Sequence, residues 1–158
     1  MARSLTFDYK VTVVSSGGNK YAIDGNTQQY VTLFPGGTYK FDQSDSTNGG
    51  HPLRFSETDN GTHASGSEYT TGVTTAGTPG SSGAYTQIEV TGDTPYRLYY
   101  YCSSHSGMGG EINIPPNFLN QGGQANRGIF RGIGTPSNSN TIEWVLVTKQ
   151  EQFLLLLT

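Results

Sequence analysis

The chain has 158 residues, a formal net charge of −3 and only 13% charged side chains. That length fits one domain, which would bury about 70% of its unfolded surface. The nine Lys and Arg are scattered and supply no basic stripe for a phosphate backbone, so nucleic acid is not expected as a partner. With 22 glycines and 10 tyrosines among many Thr and Ser, the composition reads as short strands joined by turns.

Alternation of apolar and polar residues predicts strands, in chain order, at 5–14, 20–23, 30–33, 38–41, 53–56, 85–90, 97–102 and 111–114. Between them lie turn segments: Ser-Gly-Gly-Asn at 16–19, Pro-Gly-Gly at 35–37, Asn-Gly-Gly at 48–50 and Asp-Asn-Gly at 59–61. About eight short strands so spaced imply an all-β fold, an antiparallel Greek-key β-sandwich over residues 1–115. The Gly-, Ser- and Thr-rich stretch 58–83 is long for a loop in such a sandwich, and the sequence assigns it no role.

After Pro115 and Pro116 the composition shifts to Asn, Gln and Gly, and 116–140 reads as a linker. The tail 141–158 ends Phe-Leu-Leu-Leu-Leu-Thr, an apolar patch expected to dock on the sandwich or on a second copy of the chain, as in a homo-oligomer. The first ten residues carry no apolar h-region, so no secretion signal is expected, and no apolar run is long enough to span a bilayer.

The one cysteine cannot form an intrachain disulfide, so Cys102 is either an inert core residue or a functional ligand. Taken alone it reads as a small buried hydrophobe. Its neighbours change that reading: Cys102-Ser-Ser-His105-Ser-Gly-Met108 puts thiol, imidazole and thioether on one turn that closes a predicted strand. A mononuclear copper site of the blue type takes two imidazoles, one thiolate and a weak axial thioether, so one further histidine must come from a distant strand. His51 is the candidate, because strand alternation puts it on the inward face with Leu53 and Phe55, just as Leu98, Tyr100 and Cys102 share an inward face. Glycines 107, 109 and 110 would let the loop wrap closely around a metal. His63 reads as a solvated loop residue, and copper fits better than structural zinc, which takes four Cys or His ligands and has little use for a thioether, when only the loop residue His63 remains as a fourth. No third group to orient a Cys102–His105 nucleophile pair is evident, so catalysis is not expected.

Residues 5–115 resemble the plastocyanin and amicyanin branch of the cupredoxins, through the Cys-x-x-His-x-x-Met loop and the tyrosine-rich strand before it. The resemblance implies copper bound through Nδ1 of His51 and His105, the Cys102 thiolate and, axially, Met108. It also implies one copper ion cycling between Cu(I) and Cu(II) and a redox partner protein. The chain departs from the family at Pro52, where relatives carry Asn with an N–H directed at the ligand sulfur, and at Ser104, where many carry Pro. Multicopper oxidases and copper nitrite reductases add histidines that this chain lacks. A second resemblance, in the segments 41–56, 66–73 and 126–134, is to cupredoxin-like modules in structural proteins of marine bacteriophages. It implies a virion structural protein, in a capsid decoration, tail or fibre, with other virion subunits as partners.

Overall fold

The structure, a computed structural model, describes residues 5–116. The expected linker, apart from Pro116, and the expected docking tail lie outside the described residues. In chain order the strands are β1 (Leu5–Ser15), β2 (Asn19–Ile23), β3 (Asn26–Thr27), β4 (Val31–Thr32), β5 (Gly37–Asp42) and β6 (Leu53–Ser56). They are followed by β7 (Glu68–Tyr69), β8 (Val73–Ala76), β9 (Tyr85–Glu89), β10 (Arg97–Cys102) and β11 (Gly110–Asn113). Single 3-10 turns occupy Ser46–Asn48 and Gly61–Ala64.

Two sheets form, one in the order β3-β2-β1-β5-β9-β8 and the other β4-β11-β10-β6-β7. The chain passes repeatedly from one sheet to the other, as a Greek-key sandwich requires. All eight expected strands are present, but the described residues hold eleven, because β3, β7 and β8 were not expected. The pairs β1–β5 and β4–β11 run parallel and the other ladders antiparallel.

Alternation builds the core. In β5, Tyr39 and Phe41 point inward while Thr38, Lys40 and Asp42 face outward. Phe41 meets the rings of Tyr9, Phe55 and Tyr100 at 5.2, 5.4 and 6.5 Å. Burying an aromatic or branched side chain of this kind contributes roughly 1.5–3 kcal/mol. In β10, Leu98, Tyr100 and Cys102 face the same core, yet Tyr101 on the outer face is buried as well. The turn at 61–64 covers it: a Cβ on Gly61 would lie 2.5 Å from the Tyr101 ring.

The register also sets the position of the candidate ligands. Leu53, which opens β6, pairs with Cys102, which closes β10, so the segments carrying His51 and His105 emerge at one end of the sandwich. Leu5 pairs with Gly37 where β5 begins, and Arg97 pairs with Asn113 where β11 ends, so the described chain enters and leaves at the other end.

Candidate metal centre

His51 follows the 3-10 turn Ser46–Asn48, which is capped by Asp45: its carboxylate accepts from Thr47 N at 3.1 Å and from Thr47 Oγ1 at 2.7 Å. Buried Asn48 ties this turn to the sheet, donating to Val11 O at 2.8 Å, and its own carbonyl accepts from His51 N at 2.8 Å. The His51 carbonyl accepts twice, from Tyr21 Oη at 2.7 Å and Gln43 Nε2 at 2.8 Å. Gln43 also accepts from Leu53 N at 3.0 Å. The backbone on both sides of the imidazole is thus fixed by buried polar groups, whose loss would leave unpaired atoms in the interior.

Cys102 is fully buried, and Met108, 1% exposed, belongs to the same hydrophobic cluster. The loop between them is tied at its far end by Tyr21 N donating to Met108 O at 2.9 Å. It is tied at its near end by Ser103 N donating to Pro52 O at 3.0 Å. Pro52, lacking an N–H, joins the two ligand segments through its carbonyl alone. A Cβ on Gly109 would lie 1.7 Å from the Tyr100 carbonyl oxygen, so only glycine allows the loop to return into β11 along this path.

Nδ1 of His51 lies 3.8 Å, and Nδ1 of His105 3.7 Å, from Cys102 Sγ. The two imidazole rings are 4.5 Å apart, and the donor atoms of the three residues all lie within 4.8 Å of one another. An ion about 2.3 Å from a thiolate and about 2.0 Å from an imidazole nitrogen holds those atoms about 3.7 Å apart in a trigonal plane and about 3.5 Å apart in a tetrahedron. Both sulfur–nitrogen spacings allow a single ion to reach the three donors, and two imidazoles with a thiolate are donors that copper takes. Desolvation, followed by the proximity of His105, lowers the pKa of His51 and favours the neutral imidazole with a free lone pair. His51 and Cys102 are buried, whereas His105 is exposed.

His63 is exposed, in line with its reading as a solvated loop residue, yet it also touches the backbone of the centre without joining the donor set: its Nε2 lies 2.9 Å from the Cys102 carbonyl oxygen, and its ring stands edge-on to Tyr101 at 6.4 Å. Sequence reasoning also missed Tyr21, Gln43, Asn48 and Asn60, polar residues whose partners are distant in the chain and leave no periodic signal.

No family model and no curated protein matches the chain. Among solved structures it is similar to rusticyanin from Thiobacillus ferrooxidans, at 13% identity over 72% of this chain and 79% of that one, with a TM-score of 0.42. It is similar to reduced rusticyanin at 17% identity, over 72% and 82% of the two chains, with a TM-score of 0.41. A rusticyanin variant matches at 13% identity over 72% and 80%, with a TM-score of 0.46.

Proposed function

We propose that residues 5–116 form a type 1 copper domain that takes up and passes on single electrons, with His51, Cys102 and His105 as equatorial ligands and Met108 as the axial one. The observation that carries this reading is the convergence of one thiol sulfur and two Nδ1 atoms at 3.7 and 3.8 Å, spacings that one bound ion could bridge. A copper ion held there would supply one-electron chemistry between Cu(I) and Cu(II). The chain's own contribution is rigidity: the hydrogen bonds around His51, the buried sulfurs and the backbone ties of the 103–110 loop hold the donors in one arrangement. Small reorganisation on electron transfer is the consequence.

His105 is the exposed member of the set, so a redox partner protein would approach over its ring. Membership of a larger assembly, such as a virion, is supported by the sequence resemblance alone.

The test is an absorption spectrum of the purified protein titrated with Cu(II). An intense thiolate-to-copper charge-transfer band, saturating at one equivalent and absent from Cys102→Ser, is the expected outcome. A colourless protein would discard the copper reading.

A further inference from the structure

The 58–83 excursion has no role in the sequence reading, yet its first turn reaches the ligand loop at two points. Asn60 Oδ1 accepts from Gly107 N at 2.8 Å, and Asn60 Nδ2 donates to Ser106 Oγ at 2.7 Å, so both ends of one amide are used between His105 and Met108. Three residues on, His63 Nε2 lies 2.9 Å from Cys102 O, at the other end of the same loop. Asn60 has φ +60°, a left-handed conformation that asparagine tolerates better than most side chains, and unlike glycine it also supplies the amide that spans the loop.

The turn is anchored on the strands that carry the ligands. Gly61 N donates to Thr58 O at 3.0 Å, Thr58 N to Ser56 Oγ at 3.1 Å, and Gly61 lies flat against Tyr101 of β10. On the opposite flank Lys20 Nζ donates to Gly107 O and Gln28 Nε2 to Gly109 O, and Gln28 too is left-handed, at φ +47°. Gly107 is therefore held by its N–H from one side and its carbonyl from the other. Gly107, at φ +73°, adds no side chain to restrain the loop at this point, and these groups hold it from outside.

We infer that the turn 60–64 is a clasp for the ligand loop and that Asn60 is a positioning residue, holding the loop that bears His105 before any metal arrives; its bearing on metal rests on the copper reading above. The test uses the full chain. Asn60→Gly keeps the left-handed backbone and removes the amide, while Asn60→Asp keeps an acceptor for Gly107 N. In the metal-free protein, Asn60→Gly should raise amide hydrogen exchange at Gly107 about tenfold and leave the β10 amides unchanged, and Asn60→Asp should restore protection. With Cu(II), Asn60→Gly should bind about 10–100-fold more weakly and shift the charge-transfer band.

Unchanged exchange at Gly107 in metal-free Asn60→Gly overturns the clasp, whether or not copper binds. Faster exchange with unaltered Cu(II) affinity and spectrum overturns the positioning role. If the unsubstituted chain takes up no Cu(II), the copper reading fails by itself and the clasp is decided by the metal-free exchange alone.

Discussion

Among the core tyrosines, the hydroxyls of Tyr21 and Tyr100 each find a carbonyl: Tyr21 donates to His51 O at 2.7 Å and Tyr100 to Gln29 O at 2.9 Å. Burial raises both pKa values above the ordinary phenol value, for Tyr21 with a further contribution from nearby Cys102. Since the folded values lie above the unfolded one near 10, the unfolded chain releases these protons first as pH rises. The contribution of both groups to stability is therefore intact below about pH 10 and declines above it. In an ultraviolet titration these two phenols should ionise only as the fold is lost; a folded protein whose 10 tyrosines all titrate near pH 10 would contradict the burial argument. Gln43 is another residue on which His51 depends. Gln43→Leu keeps the volume but leaves Leu53 N without its acceptor and His51 O with one donor fewer, a cost of about 2 kcal/mol. Urea unfolding of the metal-free protein reads that loss, and a change under about 0.5 kcal/mol would mean that water replaces the amide.

Glycines of the ligand loop separate two physical demands at the level of elements. Gly109→Ala would drive a methyl into the Tyr100 carbonyl, a backbone atom that cannot turn aside, and should cost about 3 kcal/mol or more by parting β10 from β11. Gly107→Ala meets only Lys20 Nζ at 3.5 Å and pays mainly for its positive φ, about 1 kcal/mol. Equal losses in denaturant unfolding would show that the loop, and not the close approach, sets the cost. The eight strands legible in the sequence owe this to alternation against a core, as in β5 and β10. The strands that escaped notice lack it: β8 is Val-Thr-Thr-Ala with no fully buried residue, while β3 and β7 are two residues each. For β3 a signal was available, since Asp24-Gly25, with φ of +49° and +85°, is the two-residue turn that joins tight hairpins. At the metal centre, spacing revealed the Cys102 loop and alternation revealed His51. The polar groups that brace them come from 19–29, 43–48 and 60–63, and one-dimensional periodicity says nothing about such contacts.

At the scale of the molecule, the candidate ligands and the points where the described chain enters and leaves lie at opposite ends of the sandwich. The six residues of β10 separate Arg97 from Cys102 by five steps, a distance of about 17 Å at roughly 3.3 Å per residue. The described chain therefore ends at the opposite end of the sandwich from His105. Among the described residues, the core cluster draws on the strands from β1 onward and reaches Ile114, just after β11. A chain ending at Pro116 should accordingly unfold in one cooperative transition and bind Cu(II) within about twofold of the full chain, since no ligand or brace named here lies beyond that point. Denaturant unfolding followed by tyrosine fluorescence and by circular dichroism, with a parallel Cu(II) titration, checks both statements. Transitions that fail to coincide, or a marked loss of affinity, would show that residues past 116 complete the core or the centre; coincident transitions with unchanged affinity would make the sandwich a self-sufficient folding and binding unit.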